Sequence, residues 1–211
     1  MSGDGRNGRR SGRATRPAKG GRAGLRRPST ENGPKPLSPT DLKRLHRQWR
    51  RKTDLRLALI LDGVQKPYNV GSLLRSAAAY NVETVWTVPP APPADHPTVA
   101  KTALGSDRFV QHRTAESGRD ALYQASAEGF MTVAIELTAD AQPLHTVETA
   151  DAVCLVLGHE DRGVHRDTLQ HADVIAYLPQ LGKIGSLNVG HAGTVALYEA
   201  ARHAWTATDG D

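Results

Sequence analysis

The amino-acid sequence predicts an α/β fold: a mostly parallel sheet with helices on both faces. Two observations carry that expectation. Short apolar, β-branched runs recur at positions 55–61, 84–88, 131–135, 152–157 and 174–178, with a weaker one near Phe109. Between them lie helical patterns at 70–80, 117–127, 164–170 and 188–205. Strands alternating with helices imply crossover connections and a parallel sheet covered on both sides. No internal repeat is visible in the 211 residues, a length that suits one well-buried domain plus an appendage.

In chain order the appendage comes first. Residues 1–36 are rich in Gly, Arg, Ser and Pro and almost devoid of large apolar side chains. Such a segment cannot bury enough surface to offset the entropy of ordering it, so a disordered basic arm is expected. Residues 37–52 read as a basic amphipathic helix. Ser38-Pro39-Thr40-Asp41 is a helix start, and Leu42, Leu45 and Trp49 recur at helical spacing. Lys43, Arg44, Arg47, Arg50 and Arg51 form the other face. The apolar stripe is expected to dock on the domain while the basic one faces outward. Residues 53–207 then form the α/β domain.

The formal charge of +5 hides a division. Residues 1–36 hold ten Lys/Arg against two acids, and residues 37–52 hold six against one. The remaining 159 residues hold eleven against nineteen, so the first 52 residues carry +13 and the rest −8. A basic arm and helix on an acidic domain suit a polyanion such as nucleic acid, bound with release of counterions; a solubilising tail is the alternative. The single cysteine, Cys154, lies in an apolar run and is expected to be a buried structural thiol. No zinc-type Cys/His spacing occurs, so no metal is expected. The longest apolar runs are far too short to span a membrane. The arginine-rich start lacks the apolar core of a signal peptide, which leads to the expectation of a soluble, cytoplasmic protein.

Three loops at the carboxyl ends of expected strands hold the candidate chemistry, because open α/β sheets bind ligands there. The first is Asp62-Gly63-Val64-Gln65-Lys66-Pro67-Tyr68-Asn69-Val70-Gly71, followed by Ser72-Leu73-Leu74-Arg75. Taken alone, Asn69 reads as the N-cap of a helix starting near Val70, and Arg75 as a solvated helix charge. The second is Gly158-His159-Glu160-Asp161-Arg162-Gly163. It has glycines for close backbone approach and an acid facing whatever binds, but not the dinucleotide fingerprint. The third runs from Pro179 through Gly182 and Gly185 into Ser186-Leu187-Asn188-Val189 and Gly190. Taken alone it reads equally as a plain strand-to-helix connection.

In this order and spacing, the three loops resemble the SPOUT superfamily of knotted RNA methyltransferases. Within it they are similar to the SpoU/TrmH family of 2′-O-ribose methyltransferases. The motifs are Asn69-x5-Arg75, Leu157-Gly158-x-Glu160-x-x-Gly163, and Leu178-Pro179-x-x-Gly182-x3-Ser186-Leu187-Asn188-Val189, followed by Leu197-Tyr198-Glu199. The resemblance extends from about Leu55 to Ala204. Val64 to Val70, and Ala103-Leu104-Gly105-Ser106, look like the tRNA guanosine-18 branch. The resemblance implies a SPOUT-type fold with a C-terminal trefoil knot, an exception to the rule against threaded chains. It implies S-adenosyl-L-methionine as cofactor, surrounded by Gly158, Leu178 and Leu187 together with Leu157, Gly163, Gly182 and Val189. It also implies a homodimer in which Arg75 of one subunit approaches the cofactor of the other.

The implied reaction moves a methyl group to a ribose 2′-oxygen held in line with the methyl–sulfur bond, so positioning carries much of the rate. Arg75 is the implied catalytic arginine. A guanidinium pKa lies above about 12, so Arg75 is expected to hold phosphate and ribose and stabilise the developing alkoxide rather than act as the base. Asn69, Glu160, Ser186 and Asn188 are the other implied catalytic residues. A guanosine in tRNA is the expected target and ribosomal RNA the alternative; a non-catalytic RNA-binding protein that keeps the fold is the further alternative. His159 and His191 depart from the family's pattern and read as tolerated substitutions, with extra substrate contacts as the other reading.

Overall fold

The computed structural model describes residues 35–208, so nearly all of the arm expected over 1–36 lies outside the described residues. Seven strands form one sheet: β1 (Arg56–Asp62), β2 (Thr84–Val88), β3 (Gln111–Thr114), β4 (Met131–Ile135), β5 (Gln142–Pro143), β6 (Ala152–Gly158) and β7 (Val174–Tyr177). Their order is β3-β2-β1-β6-β4-β7-β5, and every pair is parallel. The helices are α1 (Pro39–Arg50), α2 (Pro67–Ala79), α3 (Pro97–Ala103), α4 (Gly118–Ala127), α5 (Arg166–His171) and α6 (Val189–Thr208).

Central strands β1 and β6 pair from Arg56↔Ala152 to Asp62↔Gly158. Their side chains alternate between two cores. Leu57, Leu59 and Leu61, with Val153, Leu155 and Leu157, pack under α2, α3 and α6. Ala58 and Ile60, with Ala152, Cys154 and Val156, pack under α4 and α5. Each fully buried leucine contributes roughly 1.5–3 kcal/mol, which is why these strands are apolar at nearly every position. Cys154 is fully buried and its thiol pKa is pushed up by that burial, as a structural thiol requires. Trp86 is also buried, with its indole N–H donating to Gln124 Oε1 at 2.8 Å.

The five strong strands lie where the apolar runs put them, and three expectations shift. Phe109 sits in a 3-10 turn (Asp107–Phe109), and the strand begins beyond it at Gln111. Helix α2 begins at Pro67 rather than Val70, because proline fits a first helical position that needs no N–H partner. Asn69 is therefore inside the first turn and caps nothing. Helix α5 starts at Arg166, two residues later than its pattern suggests. Helix α3 and strand β5 have no counterpart in the sequence pattern; seven and two residues are too few to display a period.

Helix α1 is capped as its sequence indicates. Ser38 Oγ accepts the Asp41 N–H at 3.2 Å and donates to the Asp41 carboxylate at 2.7 Å. Its apolar stripe docks on the domain only in part, through Trp49. The helix contains no buried residue, and Leu42, Leu45 and Trp49 are all exposed. Three apolar side chains on an otherwise charged helix leave little surface to bury, and Trp49 meets the domain at Trp205, with ring centroids 5.1 Å apart.

The strand order positions the site. The chain lays down β1, β2 and β3 in one direction, crosses to β4, and only then fills the gap with β6. Open α/β sheets bind ligands at such a reversal, outside the carboxyl ends of the strands.

Candidate active site

The carboxyl ends of β4, β6 and β7 open onto a cavity of about 530 Å³, a size that encloses a small organic ligand. The loop after β6 folds back on itself: His159 N–H donates to Gly163 O at 2.9 Å and Gly163 N–H to His159 O at 2.8 Å. Gly163 has φ +70°, and a β-carbon on it would strike the Glu136 carboxylate. A β-carbon on Gly158 would strike the backbone of Gly163 and Val164. Only glycine permits this tight return at both positions.

Glu160 is the hub of the three loops. Its Oε2 accepts the Gln65 N–H at 3.0 Å, and its Oε1 accepts the Lys66 N–H at 2.9 Å and Asn69 Nδ2 at 2.7 Å. Asn69 Oδ1 in turn accepts Asn188 Nδ2 at 3.1 Å, and Asn188 Oδ1 caps α6 by accepting the N–H groups of Gly190 and His191 at 2.9 and 3.3 Å. Partial burial pushes the Glu160 pKa up, but donation from Gln65, Asn69 and Lys66 outweighs it and leaves the carboxyl below its ordinary range.

His159 is 7% exposed and braces two of these loops. Its Nδ1 accepts the Asp161 N–H at 3.0 Å, so Nε2 carries the proton and donates to Gln65 Oε1 at 3.2 Å. Within the chain it is a strut rather than an idle substitution. His191 is exposed at the start of α6.

Of the expected residues, Leu157, Gly158, Gly163, Leu178, Leu187 and Val189 line the cavity, as do Glu160, Ser186 and Asn188. Asn69 is 2% exposed and sits behind Glu160. Gly182 lies on the exposed part of the third loop, outside the lining. Arg75 is exposed on α2, also outside the lining, and has no hydrogen bond or ion pair among the described residues. Sequence reasoning missed Glu136. It follows β4 in the cavity wall, with Oε2 accepting the Val164 N–H at 2.9 Å and Oε1 the Leu137 N–H at 3.0 Å. An acid directly after a buried strand was the available signal. Apolar walls at Leu157, Leu178, Leu187 and Val189, with carboxylates at Glu136 and Asp161, suit a ligand that joins a flat base to a cationic centre.

The sequence profile of the SpoU rRNA Methylase family matches residues 56–198. This chain belongs to that family. Its SpoU domain is 32% identical over 153 residues to the tRNA (guanosine(18)-2′-O)-methyltransferase of Escherichia coli (strain K12), covering 72% of this chain and 65% of that protein. It is 39% identical over 147 residues to the 23S rRNA (guanosine-2′-O-)-methyltransferase RlmB of Xanthomonas axonopodis pv. citri (strain 306), covering 69% of this chain and 58% of that protein. The match thus spans about three fifths of the length of these curated relatives. The fold superposes on an AdoMet-bound rRNA methyltransferase from Sinorhizobium meliloti with a TM-score of 0.63 at 27% identity, over 70% of this chain and 56% of that one.

Proposed function

We propose that this SpoU-family chain transfers a methyl group from S-adenosyl-L-methionine to a ribose 2′-oxygen in RNA, with a guanosine of tRNA as the target. The observation that carries the reading is the Glu160–Asn69–Asn188 relay closing one wall of a cavity whose other walls are apolar. The relative named for guanosine 18 of tRNA supports the target. The relative named for 23S rRNA supports the second reading, the same chemistry on ribosomal RNA.

Bound in the cavity, S-adenosyl-L-methionine supplies an electrophilic methyl group on a positively charged sulfur. Leu157, Leu178, Leu187 and Val189 would hold its base, with Glu136 and Asp161 facing its positive charge. Glu160 accepts hydrogen bonds from three N–H donors that hold its pKa below the ordinary range, so it acts as a strut and not as a proton acceptor. Ser186, on the rim, is placed to bond ribose or phosphate. Arg75 holds the target phosphate and stabilises the developing alkoxide through its planar donors, while solvent or phosphate takes the proton.

Arg75 does not line the cavity of its own chain, and it is surface-exposed on α2, which packs against α6, a helix whose Val195 and Tyr198 are half-exposed. That arrangement supports a homodimer in which each Arg75 serves the partner's cavity. Family membership and the return of α6 onto α2 and β6 support a trefoil knot formed by the segment between β7 and α6. We place the protein in the cytoplasm; no described helix is long and apolar enough to cross a membrane.

The test is incubation of the purified chain with methyl-labelled S-adenosyl-L-methionine and unmodified tRNA or ribosomal RNA, followed by mass-spectrometric mapping. Label on a tRNA guanosine ribose is expected. Label on ribosomal RNA alone selects the second reading. RNA binding without any cofactor uptake in calorimetry would leave only a fold-retaining RNA-binding protein.

A further inference from the structure

Helix α3 and the 3-10 turn after it hold the Ala103-Leu104-Gly105-Ser106 motif, yet they do not line the cavity. Their surface has an unusual composition. Leu104 takes a left-handed conformation at φ 54° and Phe109 is 68% exposed; neither belongs to either core. The Arg108 guanidinium lies 4.8 Å from the centroid of the Phe109 ring. The turn is well fixed: Phe109 N–H donates to Ser106 O at 3.0 Å, and His112 Nε2 bonds Asp107 O at 2.9 Å. An aromatic ring is thus held outward on a rigid turn with a cation stacked on it.

The same turn packs against α2. Gly71 marks that flank of the helix, with Thr102 Cβ and Val99 O so near that a β-carbon would meet them at 2.6 and 2.7 Å. Arg75 follows four residues later on the same flank. Segments 66–79 and 97–114 carry five Lys/Arg against one acid, within a domain that nets −8; Arg113 is paired with Glu128, which leaves Lys66, Arg75, Lys101 and Arg108. Arg75 and Arg108 thus lie on two elements that pack together, and Lys66 sits at the cavity end of α2.

We infer that Phe109 and Arg108, with Leu104 beside them, form a stacking platform for an unpaired base of the RNA substrate, next to Arg75. This rests on the RNA-methylation reading and adds a contact surface to it. Unpaired RNA bases are recognised by stacking on aromatic rings and guanidinium planes, and any base offers a π-face to Phe109. The charge argues against a second copy on this turn, since a two-fold contact centred on it would set Arg108 against its own copy, whereas the proposed homodimer engages α2 at Arg75.

The experiment uses the full chain and an unmodified tRNA transcript as probe. Phe109→Ala is expected to weaken RNA binding by about 5- to 100-fold, the range for loss of one base–aromatic stack. Affinity for S-adenosyl-L-methionine, measured by calorimetry, and the mass by sedimentation stay as in the wild type. Phe109→Trp keeps wild-type RNA affinity and adds fluorescence that RNA quenches, whereas Arg108→Glu weakens binding. Wild-type RNA affinity in Phe109→Ala overturns the platform, as does a changed mass with unchanged RNA affinity. In either case, continued methyl transfer by the wild-type chain would leave the proposed function standing; loss of RNA binding by the wild type itself would remove both.

Discussion

Asn188 Nδ2 donates to Asn69 Oδ1 at 3.1 Å, joining residues 119 positions apart. Both amide orientations are forced by what lies on their far sides. Asn188 must turn its oxygen to the first N–H groups of α6, and Asn69 must turn its nitrogen to Glu160. Three loops are thereby locked in a relay whose only charge is at one end.

Asn69→Asp should break that relay more severely than Asn69→Ala. The aspartate replaces a donor with a second carboxylate at hydrogen-bond distance from Glu160, in a nearly buried position. A loss of about 3 kcal/mol is expected for Asp, against about 1–2 for Ala. Denaturant titration of both variants checks the order. Equal stability of Asn69→Asp and the wild type would show that the relay does not hold the loops.

Glu160→Gln gives a pH-dependent version of the same test. Burial alone would raise this carboxyl, but donation from Gln65, Asn69 and Lys66 prevails and holds it below its ordinary value of 4.5. A depressed carboxyl adds stability above its unfolded pKa and loses it as pH falls through the folded value. The wild type should therefore exceed Glu160→Gln by roughly 1–3 kcal/mol near neutrality, toward the low end because the group is part-exposed. The gap should close as pH drops below about 4.5. Thermal melts from about pH 3 to 8 read it directly, and a gap independent of pH would contradict the assignment.

Gly193 sits where α6 crosses α2 and β6. A β-carbon there would lie 2.5 Å from Leu157 Cδ1 and closer still to Leu73. Leu157 also lines the cavity. Gly193→Ala is expected to cost about 1–3 kcal/mol by overpacking and to weaken cofactor affinity; Gly193→Val should cost more. Melting temperature and calorimetric affinity should fall together across the pair of variants.

Much of the site is legible in the sequence. The three loops follow from strand ends, because apolar runs such as Val153 to Leu157 locate the carboxyl edge of a parallel sheet, whereas the individual lining residues follow from the resemblance to the SpoU/TrmH family. Asn69 stands out in the first loop, but a capping role does not survive, since Pro67 starts the helix earlier. Its true partners, Glu160 and Asn188, are 91 and 119 residues away, and no local pattern encodes a pairing of that span. The same holds for Glu136 against Val164 and for His159 against Gln65. Helix α1 shows a different shortfall: its apolar stripe is real and Trp49 meets Trp205, but periodicity does not say how much of the stripe a partner surface covers.

The basic arm has a prediction that depends on charge alone. Residues 1–36 carry +8, so removing them should reduce the slope of log affinity against log salt for RNA. The reduction is up to about 0.7–0.9 for each phosphate the arm neutralises. Cofactor binding should be unaffected. An unchanged slope would mean that the arm does not touch RNA.

Arg75 decides whether the site is shared between subunits. Arg75→Ala should lower methyl transfer by about 100-fold or more, with a much smaller effect on cofactor affinity because the apolar walls and carboxylates of the cavity are left in place. Arg75→Lys should fall between, having the charge without the planar fork. Mixing subunits gives the sharper result. In a mixed dimer of Arg75→Ala with a cavity-defective Asn188→Ala, one site combines an intact cavity with an intact Arg75 from its neighbour. The other site carries both lesions. Co-expressed mixed dimers should thus regain activity at about half their sites, although each variant alone is nearly inactive. If Arg75 served its own cavity, both sites of every mixed dimer would carry one lesion and the mixture would stay inactive.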